Sequence, residues 1–442
     1  MIPALFPVPI RPFALALLTL VLVIAPARGG VVGPMIGHTT PTSAILWVRS
    51  GQPGEHTLTV APRRSEAVFE GARTALPSDD LAVRWVVEGL KPDTEYTYTI
   101  RLPDGVELTD DDFAFRTPPP IDAPQRVTIA IGAKADLEPS PIWTRMLAER
   151  VDGLVLIGDT PFIDSTDLEI QRAAHRALLA LPEVARVIRR TPTWGAWSTH
   201  DYGARADGNL PGKYNARVAF SEYRALGSFG KDDEGIYTSF RLGPIEFFLL
   251  DTRSFMNVEP SPFVRSVGTL LGAEQWRWLM EALTTSDAPF KVLVSGLVWD
   301  TRFDGTEDDW LHFAHERDLM WFQLRQASTP GVLALAADMG LSRAMRFPTE
   351  EVLGYDFWQL TPGPLGARTE PDLPAFHDAI VHNAAEPGVF LRLTADSTVQ
   401  PAELTATWIN TRGDRLFSVT MTAEDLTPKA PPPDFGAPRH QH

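Results

Sequence analysis

Four short polar segments carry the residues best suited to acid–base or metal chemistry, and each is read as following a buried strand. They are Gly132-Ala133-Lys134, Gly158-Asp159-Thr160-Pro161-Phe162-Ile163-Asp164, Trp197-Ser198-Thr199-His200-Asp201-Tyr202-Gly203 and Ala337-Asp338-Met339-Gly340. A carboxylate at a strand end can ligate a cation or take a proton, and His200-Asp201 puts an imidazole beside a carboxylate. One such residue means little, because a strand-end Asp is often only a helix cap. Repetition is the stronger signal, since successive strand ends of an α/β sheet converge on one crevice.

The elements that must position these segments follow from the apolar pattern. Val127–Gly132, Gly153–Ile157, Ile245–Leu250, Phe290–Ser295 and Val332–Ala336 are short apolar runs, as expected of buried strands. Ile142–Arg150, Leu168–Arg190 with a break at Pro182, Ala273–Leu283 and Glu316–Gln326 read as helices between them. Val389–Thr394, Glu403–Asn410 and Leu416–Met421 read as a closing antiparallel sheet, with Asn410–Asp414 as a hairpin turn around Arg412-Gly413-Asp414. Ahead of all this, residues 31–117 read as a small β-sandwich of the fibronectin/Ig-like type. Ser43–Arg49 and His56–Val60 alternate as strands do. Leu90-Lys91-Pro92-Asp93-Thr94-Glu95-Tyr96 has the pattern of a tyrosine corner, in which the hydroxyl bonds back to upstream backbone. A proline-rich linker, Thr117 to Pro124, separates the two parts.

Composition bounds the reading. The chain has 442 residues with 44% hydrophobic and 22% charged, a globular balance long enough for two or three domains. Its formal net charge of −16 disfavours nucleic acid and anionic lipid as partners, yet leaves room for a small anion in a local pocket. Arg11, the apolar run Phe13–Ala25 and Ala25-Pro26-Ala27 predict a signal peptide over residues 1–27, hence a secreted or periplasmic protein with no membrane span after cleavage. The apolar run is shorter than the roughly 20 residues that cross a bilayer. There is no cysteine, so stability rests on the core. Residues 427–442, with Pro431-Pro432-Pro433, are expected to form a disordered tail. Nothing in the sequence sets the oligomeric state.

The order of segments resembles the alkaline phosphatase D (PhoD-like) metallophosphatase family. Gly158-Asp159 with Asp164 is similar to that family's Gly-Asp-x-x-Tyr-x-Asp motif, and Trp197–Gly203 to its Trp-Asp-Asp-His-Asp-Tyr-Gly motif. Phe247–Arg253 resembles its Leu-Asp-Thr-Arg strand. Leu271–Trp276 with Ala288–Gly296 resembles its Leu-Gly-x-x-Gln and Lys-x-x-x-Ser-Gly pair, and His315-Glu316-Arg317 its Glu-Arg helix start. Ala337-Asp338 stands where that family has Ser-Gly-Asp-x-His. The resemblance implies an α+β/α/β chain in which residues 125–426 form a metallophosphatase-like α/β sandwich. It also implies hydrolysis of phosphate monoesters or diesters with iron and calcium as cofactors.

The departures fall on the positions that ligate metal in that family. Its Gly-Ser-Cys is Gly132-Ala133-Lys134, its Tyr is Phe162, its paired Asp are Ser198-Thr199, and its Asn-Asp is Arg205-Ala206. Asp159, Asp164, His200, Asp201 and Asp338 survive. The resemblance thus implies Asp159, Asp338 and Asp164 as metal ligands, His200 as the group acting on the ester and Asp201 as its orienting partner. Lys134 is expected to stand in for a lost cation by pairing with Asp159 or Asp338, since uncompensated buried carboxylates are strongly unfavourable. Arg205 either binds an anion with Lys134 or faces water, with water the favoured reading. Asp136 and Asp207 are further acids that could replace lost ligands, and His312, His315, His377 and His382 could build an alternative zinc site. Two functions compete: a phosphoesterase with an incomplete calcium or iron centre, and a non-catalytic pseudophosphatase holding a small phosphate ester or other anion. A structural role for the sandwich alone is a third.

Overall fold

The computed structural model describes residues 30–300, 308–371 and 377–429. The predicted signal peptide and the tail beyond Lys429 lie outside the described residues.

Two β-layers make the N-terminal part. One orders Val32–Thr40, Ser43–Arg49 and Ala82–Glu88; the other orders Phe69–Ala75, Gly54–Pro62, Glu95–Arg101 and Glu107–Leu108, with Ala114–Arg116 also on Glu95–Arg101. Alternate residues of both layers, among them Leu46, Leu58, Val60, Trp85, Tyr98 and Phe115, point into one apolar core. The Tyr96 hydroxyl accepts a 2.8 Å hydrogen bond from the Lys91 N–H, the corner bond anticipated from the sequence.

The larger part stacks two sheets. The first orders Thr193–Gly195, Gly153–Leu156, Arg126–Gly132, Val389–Asp396, Glu403–Asn410 and Arg415–Thr422. Its first three strands are parallel, and Val389–Asp396 runs antiparallel against Arg126–Gly132. The predicted closing sheet is therefore the second half of this sheet rather than a separate unit. The second sheet orders Thr238–Leu242, Ile245–Leu249, Phe290–Ser295, Val332–Ala336, Phe357–Thr361, Ser342–Phe347 and Ile380–Ala384. One apolar core, with Ile131, Val155, Trp197, Phe247, Val294, Leu335 and Trp408, fills the space between them. This explains why the central strands read as unbroken apolar runs: both of their faces are covered.

The helices lie outside the sheets. Asp167 caps Leu168–Ala180 by accepting from Glu169 and Ile170, and Pro182 opens a new helix, Pro182–Ile188. Gly272–Thr285 and Ala314–Gln326 meet through Glu316, whose buried carboxylate accepts from the Thr269 hydroxyl (2.7 Å) and from the N–H groups of Leu270 and Leu271. The two parts of the chain lock together at Asp80, which takes bonds from Arg49 of the sandwich and from Arg176 and Tyr223 of the larger part. Among the described residues no helix is long and apolar enough to cross a membrane.

Candidate functional site

The parallel strands end on one side, and their loops meet. Ala133-Lys134 follows Arg126–Gly132, Gly158-Asp159 follows Gly153–Leu156, Trp197–Asp201 follows Thr193–Gly195, and Ala337-Asp338 follows Val332–Ala336. Backbone bonds stitch the first two: Lys134 N–H donates to Gly158 O (3.1 Å) and Ala135 N–H to Asp159 O (2.9 Å). Gly158 is required at φ +122°, because a Cβ there would meet Ser198 Cβ at 2.4 Å. Four side-chain-bearing residues of the cluster sit in the left-handed region: Lys134 (φ 51°), Asp159 (52°), Asp164 (55°) and Asp338 (63°). Left-handed backbone is costly for a lysine, and its concentration in one crevice is characteristic of functional loops.

Asp159, His200 and Asp338 form the group among the described residues whose donor atoms lie within 4.8 Å of one another, close enough to hold one metal ion. Asp159 is fully buried; Oδ1 accepts from the His200 N–H at 2.8 Å, and Oδ2 has no hydrogen-bond partner. Lys134 Nζ lies 3.4 Å from that oxygen and 4.0 Å from Glu370 Oε1, with its side chain only 7% exposed. The expected pairing of Lys134 is thus with Asp159. His200 Nδ1 is 2.5 Å from Asp164 Oδ1, and its ring stacks on Phe162 with centroids 3.5 Å apart. The guanidinium of Arg368 sits 4.0 Å from the centre of the Phe162 ring.

Asp338 is held differently. Arg205 donates to both of its oxygens, at 2.9 and 3.3 Å, and the Thr199 hydroxyl donates to Oδ1 at 2.9 Å. Arg205 also reaches Asp308 Oδ2 at 2.6 Å, and the fully buried Arg253 grips Asp308 with two bonds of 2.6 and 2.8 Å. The favoured expectation that Arg205 faces water is corrected: two carboxylates draw it inward and leave its side chain one-third exposed. Asp308 and Arg253 are site residues that motif reading missed. Arg253 closes the Leu-Asp-Thr-Arg segment but was not read as a site residue, and Asp308 belongs to no motif, so only its position beside two arginines marks it.

Asp201 is also corrected. It was expected to orient His200, but its oxygens accept from the Ser198 N–H (2.7 Å) and the Thr160 N–H (3.3 Å), and Asp164 takes the imidazole. Burial, and then the Asp159 charge, push the Asp201 carboxyl up to about 7. Asp136 accepts from Ala367 N–H and Asp207 from Asn209 N–H, so neither replaces a ligand in the cluster. The alternative zinc site does not assemble among the described residues. His312 Nδ1 is 2.7 Å from Asp309, His377 faces Asp300 at 3.4 Å, and His315 is near Glu316. His382 lies in the strand Ile380–Ala384 and stacks on Phe417.

On donor chemistry, two carboxylates and one imidazole suit one ion, and the unpartnered Asp159 Oδ2 is a lone pair that such an ion would use. Protein cations beside both carboxylates compete for the same charge.

Comparison with known proteins bears on the fold and on the segment that carries much of this site. A family model described as PhoD-like phosphatase matches residues 196–387, which include His200, Asp201, Arg205, Asp308 and Asp338. A model described as a domain of unknown function matches residues 29–120. No curated protein sequence matches the chain. The solved structure of PhoD is 18% identical, with a TM-score of 0.74 over 90% of this chain and 91% of that one. The purple acid phosphatase PPD1 from yellow lupin (Lupinus luteus) seeds is 14% identical, with a TM-score of 0.67 over 89% of this chain and 74% of that one. These two likenesses establish the fold, a PhoD- and purple-acid-phosphatase-like arrangement behind an N-terminal β part. The matching family model marks residues 196–387 as similar to the PhoD-like phosphatases.

Proposed function

We propose that this chain is an exported pseudophosphatase: its crevice binds a small phosphate ester or other anion without turning it over. The observation that carries the reading is that both carboxylates of the candidate metal group already have a protein cation, Lys134 on Asp159 and Arg205 on Asp338. Lys134 is the anion-binding group, since its ammonium is nearly buried and its ion partners stand no closer than 3.4 Å. Three donors fall short of the six to eight oxygens that calcium takes, so a calcium centre is not supported by this set. Export is supported by the N-terminal Arg11, the apolar run and Ala25-Pro26-Ala27. The fibronectin/Ig-like reading of the sandwich is supported by the Tyr96 corner bond.

A second reading, phosphoester hydrolysis, is favoured by the grouping of Asp159, His200 and Asp338. A metal ion held there would neutralise phosphate oxygens and acidify a water. Asp164 would hold the His200 imidazole by Nδ1 and leave Nε2 as the ring nitrogen free to ligate that ion.

Elemental analysis of the purified protein decides between them, run beside monoester and diester hydrolysis with iron, calcium, manganese and zinc supplied. Neither stoichiometric metal nor turnover is expected. Stoichiometric metal with turnover that Asp159→Asn abolishes would replace the first reading with the second.

A further inference from the structure

We infer that the place between Lys134 and Asp159 is a hydrogenphosphate site, one that takes a phosphate still carrying a proton and discriminates against sulfate and phosphodiesters. The inference rests on the anion-binding reading and names its ligand.

A carboxylate oxygen without a hydrogen bond and an ammonium group lie side by side there. Lys134 Nζ is 3.4 Å from Asp159 Oδ2 and 4.0 Å from Glu370 Oε1, both longer than the roughly 2.7–2.9 Å of a charge-assisted hydrogen bond. Asp159 Oδ2 is buried and has no hydrogen-bond partner, while Oδ1 is already taken by the His200 N–H. A buried acceptor without a donor is costly, and both residues sit in strained left-handed backbone. Across the crevice Asp338 is occupied by Arg205 and Thr199.

A ligand within reach of both atoms must accept from Lys134 and donate to Asp159. Hydrogenphosphate does both, with an ionised oxygen for the ammonium and a P–O–H for the carboxylate. Sulfate and a phosphodiester carry no proton at neutral pH, so an oxygen of either would meet Asp159 Oδ2 acceptor to acceptor. A monoester loses its last proton near pH 6, so only its minor singly protonated form fits. The same pair that admits the anion therefore filters it.

The test is titration calorimetry on the chelator-treated full chain at about pH 7.5, with sodium phosphate, sodium sulfate and dimethyl phosphate as separate ligands. Phosphate should bind at least about tenfold more tightly than either of the others. Asp159→Asn replaces the acceptor with an amide that can donate, and sulfate should then bind within about threefold of phosphate. Lys134→Met should abolish binding of all three. Equal affinity for phosphate and sulfate in the unmodified chain overturns the filter while leaving an anion site in place. No binding of any anion overturns the anion-binding reading itself. Phosphate binding that disappears on chelator treatment, or that survives Lys134→Met, overturns the placement. Where Asp159→Asn does not fold, the ratio in the unmodified chain decides alone.

Discussion

Arg205 clasps Asp338 by both oxygens, Nη1 to Oδ2 at 2.9 Å and Nη2 to Oδ1 at 3.3 Å, while the same Nη1 holds Asp308 at 2.6 Å. Arg253 holds Asp308 from within and donates to the Thr199 hydroxyl, which in turn donates to Asp338. Two arginines, two aspartates and Thr199 thus form a closed, charge-balanced ring.

Breaking that ring at Arg205 leaves Asp338 buried with less compensation. Arg205→Ala should cost about 1–3 kcal/mol, below the ~3–5 of a fully buried pair because the guanidinium is one-third exposed. Urea denaturation measures it. Millimolar manganese should restore part of the loss in the variant and leave the unmodified protein unchanged. An equal effect on both would show that Arg205 does not hold a cation's place.

The sandwich corner makes a prediction independent of the crevice. Tyr96→Phe removes the acceptor of the Lys91 N–H, and that amide is then left without its partner. The expected loss is about 1–3 kcal/mol by chemical denaturation, with an unchanged far-ultraviolet spectrum.

Glu316 joins two helices by charge. Its carboxylate accepts from Thr269, Leu270 and Leu271, and it is almost wholly buried. Glu316→Gln keeps the volume but turns an amide donor toward backbone donors, so a loss of about 1–3 kcal/mol is expected. A thermal midpoint equal to that of the unmodified protein would rule out this role.

His175 is a pH-sensitive element away from the crevice. Burial, and then the Arg224 charge, hold its pKa well below the usual histidine value, and neither ring nitrogen has a hydrogen-bond partner. The unfolded chain takes up a proton near pH 6.5 that the folded chain refuses, so stability is present above that pH and falls as pH drops below it. The slope is at most about 1.4 kcal/mol per pH unit. Asp201, raised to about 7, works in the opposite sense: it stays protonated in the fold below that pH and favours folding as pH falls toward 3.8. The difference between the unmodified protein and His175→Phe isolates the histidine. Its denaturation midpoint should fall less between about pH 7 and pH 5.5 than that of the unmodified protein.

Much of the scaffold is legible in the sequence. Phe290–Ser295, Val332–Ala336 and Glu403–Asn410 have the expected bounds, and Pro182 breaks the helical run where anticipated. The strand Ser342–Phe347 and its neighbour Phe357–Thr361 were not read. Arg343 and Arg346 interrupt the apolar pattern of the first, and Gln359 that of the second. Arg343 is buried all the same, its Nε donating to Asn383 in the neighbouring strand, so a tertiary partner overrides the local signal.

The sequence by itself determined the strand-end loops, the absence of a cysteine ligand and the arrival of positive charge at Lys134 and Arg205, because these depend on local pattern and residue type. Which carboxylate each cation meets was decided only in three dimensions. Arg205 and Asp338 are 133 residues apart, Arg205 and Asp308 are 103 apart, and Asp164 rather than the adjacent Asp201 reaches the His200 ring. No local periodicity encodes such pairings. They arise because the parallel strands end together and buried charges take the nearest partner the crevice supplies.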